Sequence, residues 1–464
     1  MEDKRLQQLA ERPVGRLLWQ YSLPAVTGML VQALYNLVDR VFLGQVCGAD
    51  TLTALTVTFP MMNLATAIGV LVGVGSASRV SIALGAGMRE RADGILGNAL
   101  TLTVLNGLLY VLVFGLFMEP MLGAFGADAR ILPLAKQYMY ILLPGLILTN
   151  VAFSLNNVMR ASGYPGRAMT TMIIGAVVNC ILDPLFIIVF DMGIAGAAIA
   201  TDIAMGVSAV YVLRHFSRRD STVRFRRGTY ALRWRTVWSI FTIGCAPALV
   251  NAAASLINLK VNTSLIDVCG ADANRAIAAA GIFGTYTTIG VTITLGLCMG
   301  MQPIIGYNYG AGHMHRLRRT FLLATAAATV LTATTSLVGE VWPQWVARVF
   351  TTDTALIDTT VTALRYSLWA FAVVGFQIIS TALFQSIGKV SQSIFLSLTR
   401  QVIFLIPLLF LLPPQMGAEG VWTSFPVSDV LATIVTVILV QRQLRQFTNA
   451  NTAPVPQARQ SLCR

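Results

Sequence analysis

The sequence is short of charge. Only 11% of its 464 residues are Asp, Glu, Lys or Arg, less than half the ~25% usual for a soluble domain. Histidine is rarer, with three copies (His215, His313 and His315), all in polar connections. Without a histidine in any long apolar run, Ser–His catalysis and His-ligated metal sites are excluded there, and no enzyme activity, metal site or cofactor is expected. The six cysteines (Cys47, Cys180, Cys245, Cys269, Cys298 and Cys463) are scattered, with no C-x-x-C and no paired spacing. They read as small apolar packing residues. The charged start lacks a short apolar core and a small-residue cleavage site, so no cleavable signal peptide is expected. Apolar residues fill the gap: 55% of the chain falls in the set AVILMFWYC. Disorder, a disulfide scaffold and a cytosolic enzyme are excluded, and a polytopic membrane protein remains.

A helix needs about 20 apolar residues to cross a bilayer. Twelve runs qualify: Leu17–Leu43, Leu52–Val80, Leu96–Met118, Ile131–Met159, Met169–Phe190, Ile194–Leu213, Val237–Ile266, Ala276–Ile305, Phe321–Val341, Val361–Ile387, Ile394–Leu412 and Val421–Val440. They are continuous blocks, unlike the alternating ~10-residue strands of a membrane barrel. Orientation follows from the connections. Of the Lys and Arg, 25 fall on one side and six on the other, which predicts both termini in the cytoplasm of an inner-membrane protein. The net charge of +13 then reports topology. The basic stretch His215–Arg235 reads as the same signal plus contact with anionic lipid heads, so lipid is an expected partner and nucleic acid is not. Tyr230, Trp234 and Trp238 suggest an interfacial helix leading into the seventh span. Polar Thr448–Arg464 reads as an unstructured tail.

The chain is a duplicated half. Val46-Cys47-Gly48-Ala49-Asp50 recurs as Val268-Cys269-Gly270-Ala271-Asp272, an offset of 222. Pro24-Ala25 answers Pro247-Ala248, Gly193-x-x-Gly196 answers Gly417-x-x-Gly420, Gly85-Ala86-Gly87 answers Gly310-Ala311-Gly312, and Gly163 answers Gly388, all at offsets of 223 to 225. Six spans per repeat is even, so the repeats are parallel, related by an axis along the membrane normal. The predicted fold is all-α, with twelve transmembrane helices in two parallel-repeat six-helix bundles. Residues 1–214 form the first lobe, 215–236 a basic cytoplasmic linker, 237–441 the second lobe and 442–464 a polar tail. Transporters are often built this way and work by alternating access.

Ionisable side chains deep in lipid are costly and usually mark function. The interior set is Asp39, Asp183, Asp202, Lys260, Arg400 and Asp429. Asp39, Asp183 and Thr201 lie roughly 6–11 Å below the outer surface at 1.5 Å per residue. Asn179 sits one turn below Asp183 on the same face. Asp39, Asn179, Asp183 and Thr201 can therefore cluster. Two carboxylates there would repel, so one proton held between them, or a shared cation such as Na⁺ at Asp39 and Asp183, suits the site. A hydrogen-bonded packing knot is the plainer alternative. Pro24 and Pro184 each remove a helix hydrogen bond and are candidate hinges; static kinks are the alternative. In the second repeat Asp39 maps to Asn262, and Pro407 answers Pro184 without a carboxylate beside it, which predicts ion coupling in the first lobe alone. For the second lobe, a structural pairing of Arg400 with Asp429 is the favoured reading. Helical spacing puts Gln32 and Asn36 on the Asp39 face, Met172 on the Asp183 face and Met205 below Thr201. Phe153 and Asn156 lie near the inner end of the fourth span. A face of Met, Asn and Gln suits adaptable binding of amphipathic molecules, with core packing as the alternative.

These residues resemble the multidrug and toxic compound extrusion (MATE) family. The resemblance is carried by Leu23-Pro24, Tyr35-Asn36-Leu37-Val38-Asp39, Asn156-Asn157-x-x-Arg160-Ala161-x-Gly163 and Asn179-x-x-x-Asp183-Pro184. Gly193-Ile194-x-Gly196-Ala197-Ala198-x-Ala200-Thr201 extends it, and in the second half Phe384-Gln385-x-Ile387-Gly388-Lys389, Arg400-Gln401 and Pro426-x-x-Asp429 resemble the bacterial MepA-like branch. The resemblance implies an antiporter, acting as a monomer, that exports organic cations or amphipathic drugs in exchange for H⁺ or Na⁺. It implies ion coupling at Asp39, Asn179, Asp183 and Thr201, and drug contacts at Gln32, Asn156, Met172 and Met205. Asp202 is outside the pattern. A flippase for a lipid or lipid-linked substrate is the alternative, disfavoured by twelve spans and only two buried basic residues.

Overall fold

The computed structural model describes residues 2–47 and 49–450. Every regular element among them is helical. The order is α1 (Glu2–Glu11), α2 (Val14–Cys47), α3 (Ala49–Gly85), α4 (Arg89–Leu116), α5 (Met118–Ala124), α6 (Leu132–Ala161), α7 (Pro165–Pro184), α8 (Gly193–Ser217) and α9 (Trp234–Cys269). Then follow α10 (Ala273–Gly310), α11 (Met314–Val341), α12 (Pro343–Phe350), α13 (Thr354–Leu368), α14 (Val374–Ser386), α15 (Val390–Leu398), α16 (Ile406–Leu411), α17 (Pro413–Met416) and α18 (Ala418–Ala450). The helices that carry the twelve apolar runs are α2, α3, α4, α6, α7, α8, α9, α10, α11, α13 with α14, α15 with α16, and α18. Large apolar side chains remain exposed along them, for example Leu105, Leu108, Leu112 and Leu116 on α4, as a lipid-facing surface requires.

Two compact units form, one from α1 and Leu23–Gly244 and the other from Pro13–Ser22 and the residues after Gly244. Helices α2 and α9 thus each contribute to both units, and each changes unit shortly before its proline, Pro24 or Pro247. In the first unit, residues of α3, α4, α5, α6 and α8 share one core around Met61, Phe114, Tyr138 and Leu142. Gly75 and Gly244 carry no Cβ where α3 and the start of α9 touch backbone to backbone. In the second unit, Trp422, Leu265 and Leu405 anchor one core and Phe283, Leu368 and Phe371 another.

The duplication is visible in the turns. Met88 donates to Ala83 at 2.9 Å and Gly87 to Leu84 at 3.1 Å; in the second repeat His313 donates to Asn308 at 2.8 Å and Gly312 to Tyr309 at 3.2 Å. Both turns are helix-ending Schellman motifs, which need a left-handed residue where glycine stands. Gly87 has φ of 76° and Gly312 of 79°. Gly163 and Gly388 end α6 and α14 in the same manner, at 98° and 75°.

Several features depart from the sequence reading. The tenth span is broken: α13 and α14 meet at 54°, with no proline or glycine at the break. Thr332 of α11 donates its hydroxyl to the carbonyl of Ala372 at 2.7 Å, and Ser336 donates to Leu368 at 2.6 Å. Hydroxyls from a neighbouring helix thus take the carbonyls that the bend releases. No separate interfacial helix precedes the seventh span. Residues 218–233 form an irregular strap on α4, and Trp234 and Trp238 stack in the first turns of α9, 5.9 Å apart. His215 is not in a loose connection; it lies in the last turns of α8 and is buried. The helix α18 continues to Ala450, with Phe447 buried; residues 451–464 of the tail lie outside the described residues.

Candidate functional site

The first unit gathers Asp39, Asp183 and Asp202 where the end of α7 meets the first turns of α8. Helix α7 carries Asn179 and Asp183 one turn apart, both buried. Asn179 donates its side-chain amide to Asp183 Oδ1 at 3.1 Å and to the Thr201 hydroxyl of α8 at 3.4 Å. Its own carbonyl oxygen is buried with no partner among the described residues. Asp39 of α2 lies within electrostatic reach of Asp183, so the four residues foreseen as ion-coupling share one neighbourhood.

Three more residues enter it. Tyr35 of α2 is hydrogen-bonded to Gln32 and lies within reach of both Asp39 and Asp183. Tyr138 of α6, fully enclosed, is within reach of Asp39, Asp183, Asp202 and Tyr35. Asp202 of α8 presses on Gly145 of α6, where its carboxyl occupies the space a Cβ would take. The glycine at 145 is what admits a third acid. Tyr138 was missed because a tyrosine in an apolar run carries no sequence signal of its own.

Asp183 precedes Pro184, and Leu185–Val189 forms a π-helical turn directly after it. Proline cannot donate to the carbonyl one turn back, and its ring displaces that carbonyl. A wider turn accommodates the misfit, a device often found beside functional sites.

The residues foreseen as drug-facing are spread more widely. Met172 packs its sulfur against Gly28 of α2. Gln32 and Met205 are half-buried. The side chain of Asn36 lies outside the described residues. Asn156 is 18 residues beyond Tyr138 on α6, about 27 Å along the helix axis, and Phe153 is one turn before it. Asn156 is buried, donating to the Ala168 carbonyl at 2.8 Å and accepting from Arg160 at 2.9 Å. It ties α6 to α7 at the end of the unit remote from the acids.

In the second unit, Arg400 meets Asp429 at 2.6 Å. Gln377 donates to the Asp429 carbonyl and to Thr433, both at 2.6 Å. Lys260 lies 3.9 Å over the Phe410 ring, which stabilises a cation without an acid. Arg400 stands in a π-helical stretch, Thr399–Leu405, just before Pro407. No group of three or more His, Cys, Asp or Glu suited to a metal ion occurs among the described residues.

Two six-helix repeats, each beginning with a proline-bearing long helix, with acids gathered in the first and an acid paired to arginine in the second, define a polytopic membrane transporter rather than an enzyme. The MatE family model matches the chain twice, over residues 24–185 and 247–411, once in each repeat and over more than half of the chain. The chain belongs to the MatE family of transporters. It is 25% identical to the multidrug export protein MepA of Staphylococcus aureus (strain NCTC 8325 / PS 47) over 442 residues, covering 95% of this chain and 96% of that one. It is 23% identical to MepA of Staphylococcus haemolyticus (strain JCSC1435), covering 97% and 98%. A crystal structure of MATE in the bent conformation superposes with a TM-score of 0.90 at 24% identity, covering 97% of this chain and 99% of that one. An outward-facing multidrug resistance MATE transporter of the MOP superfamily gives 0.88 at 24% identity, covering 95% and 98%. These structures establish the shared fold.

Proposed function

We propose that the protein is a secondary active antiporter of the inner membrane, exporting organic cations or amphipathic drugs in exchange for H⁺ or Na⁺. The observation that carries this reading is Asn179, which joins Asp183 to Thr201 beside Asp39 and keeps one buried carbonyl oxygen unpartnered. Two carboxylates close together in a poorly solvated place repel one another, and one monovalent cation removes the repulsion. The spare carbonyl and the Thr201 hydroxyl are hard oxygen ligands that suit Na⁺, and a proton between the acids serves as well.

Loading and unloading this cation gives the first lobe two states, and the drug binds the unloaded one, so that cation entry expels it. Pro24 and Pro184 each lack the amide that would close one helix hydrogen bond, and so provide places to bend. Gln32, Met172 and Met205 offer the drug a pliable lining between the acids and the inner end, and Asn36 is assigned to the same face from the sequence spacing alone. Phe153 and Asn156 border that inner end. The excess of Lys and Arg on one face supports cytoplasmic termini. A monomer suffices because one chain holds both repeats. The relatives named for multidrug export support the drug reading, and none of the comparisons favours the flippase alternative.

Reconstitution tests it. Proteoliposomes given only a proton gradient, then only a Na⁺ gradient, should expel a fluorescent organic cation under one of the two. Efflux under neither gradient, together with scrambling of a labelled phospholipid, would favour the flippase.

A further inference from the structure

The strap 218–233 is stitched to α4. Asn98 donates to the carbonyls of Thr229 and Ala231 at 3.1 Å each, and its own carbonyl accepts from the Arg233 amide at 2.8 Å. Asp93 accepts from the Arg224 amide at 2.9 Å. Thr101 donates to the Tyr230 carbonyl at 2.9 Å. The fold thereby forms an open-sided cavity of about 230 Å³ between the strap and the start of α4, lined by Arg89, Arg219, Arg224 and Arg226, with Arg219 and Arg226 exposed. Buried Ser221 and Thr222 form its floor.

Charge in the cavity is unbalanced. Its one acid, Asp93, is committed to Arg226 at 2.7 Å. Glu90 reaches the same arginine at 3.7 Å from an exposed position. The side chains of Arg219 and Arg224 make no hydrogen bond or ion pair among the described residues. Several guanidinium groups around one hollow repel each other unless an anion enters, and their planar donor forks match phosphate oxygens.

Depth adds the second constraint. Asp93 and Arg89 precede the apolar run of α4, which begins at Leu96, and the strap is held at Asn98 and Thr101 within its first two turns. The cavity therefore lies on the water side of the hydrocarbon, at the level of the headgroups or beyond. Tyr230, Leu232 and Trp234 are exposed further along the strap and at the start of α9, an aromatic and apolar fringe of the kind that settles at a membrane interface.

We propose that this cavity binds a phosphate-bearing anion, with the Arg219 and Arg224 guanidiniums as its principal donors. An anionic phospholipid headgroup and free inorganic phosphate share that chemistry.

The test uses the full-length protein in detergent. Native mass spectrometry would follow retention of phosphatidylglycerol against phosphatidylcholine of equal chain length. Thermal unfolding would follow added inorganic phosphate against chloride at equal ionic strength. Wild type should hold an anion of this class, and R219Q/R224Q should hold it about thirtyfold more weakly, at ~1 kcal/mol per arginine. R218Q/R227Q removes the same charge from exposed strap positions outside the cavity and should stay within about twofold of wild type. R219K/R224K keeps the charge and should bind more tightly than R219Q/R224Q, and an unfolding midpoint of R219Q/R224Q without added anion equal to that of wild type shows that its loss is not misfolding. Retained phosphatidylglycerol displaced by phosphate identifies a headgroup as the occupant; stabilisation by phosphate without lipid retention identifies the free anion. Equal binding by R219Q/R224Q and R218Q/R227Q, or binding of neither anion by wild type, overturns the proposal. The readouts do not depend on transport, so failure here leaves the antiport reading standing, and the reverse holds too.

Discussion

Arg400 holds Asp429 at 2.6 Å. That pairing separates the buried acid of the second unit from Asp183 of the first, which accepts from the neutral amide of Asn179 and has Asp39 as an electrostatic neighbour. An acid with a fixed counter-charge has little use for a mobile cation. Asp183 has no such counter-charge among the described residues. D429N or R400Q alone strands a buried charge and should cost about 3–5 kcal/mol, whereas the double variant R400Q/D429N should lose much less. Unfolding of the three variants in detergent checks this; losses that simply add would show that the two side chains act independently.

The third acid of the first unit depends on a glycine. With the carboxyl of Asp202 occupying the space beside Gly145, G145A should force it outward and destabilise the fold by about 1–3 kcal/mol. In a D202A background the same substitution should be nearly neutral. Unfolding midpoints of the four chains measure the coupling, and an equal loss in both backgrounds would place the strain elsewhere.

Much of this was legible in the sequence, and the reason is physical. Lipid demands long apolar helices, so the twelve runs stand out, and each coincides with a helix or a pair of helices whose ends differ from it, in most cases, by a turn or two. The duplicated glycines at 87 and 312, and at 163 and 388, survive in both repeats because each sits at positive φ. The acids Asp39 and Asp183 are conspicuous because charge in lipid is rare. Contacts that join distant helices were not legible. Nothing in the run around Trp369 announces a 54° bend, because its cause lies on α11. Nothing marks Asn98 as the clamp of the strap, nor Asn156 as the tie to α7, until the partners are seen.

The bend of the tenth span should therefore respond to α11. T332V and S336A each remove a hydroxyl from a carbonyl at the break, which should cost about 1–3 kcal/mol apiece. Hydrogen exchange at the amides following Trp369 should rise in both variants. Unchanged exchange there would mean that packing alone maintains the bend.

The strap should come loose when its clamp is removed. Asn98 makes three hydrogen bonds to it, each worth about 1 kcal/mol net. In N98A, trypsin should cut at arginines of the strap well before cutting elsewhere, while wild type resists. Equal digestion rates would show that Asp93 and Thr101 suffice.

The most direct measurement compares D39N, D183N and wild type in proteoliposomes, scoring gradient-driven efflux of a fluorescent organic cation alongside its binding to the detergent-purified chains. Loss of efflux in both variants, down to the level of empty liposomes, with the cation still bound, is the expected result. Coupled efflux at the wild-type rate in both variants would contradict a cation site at these aspartates.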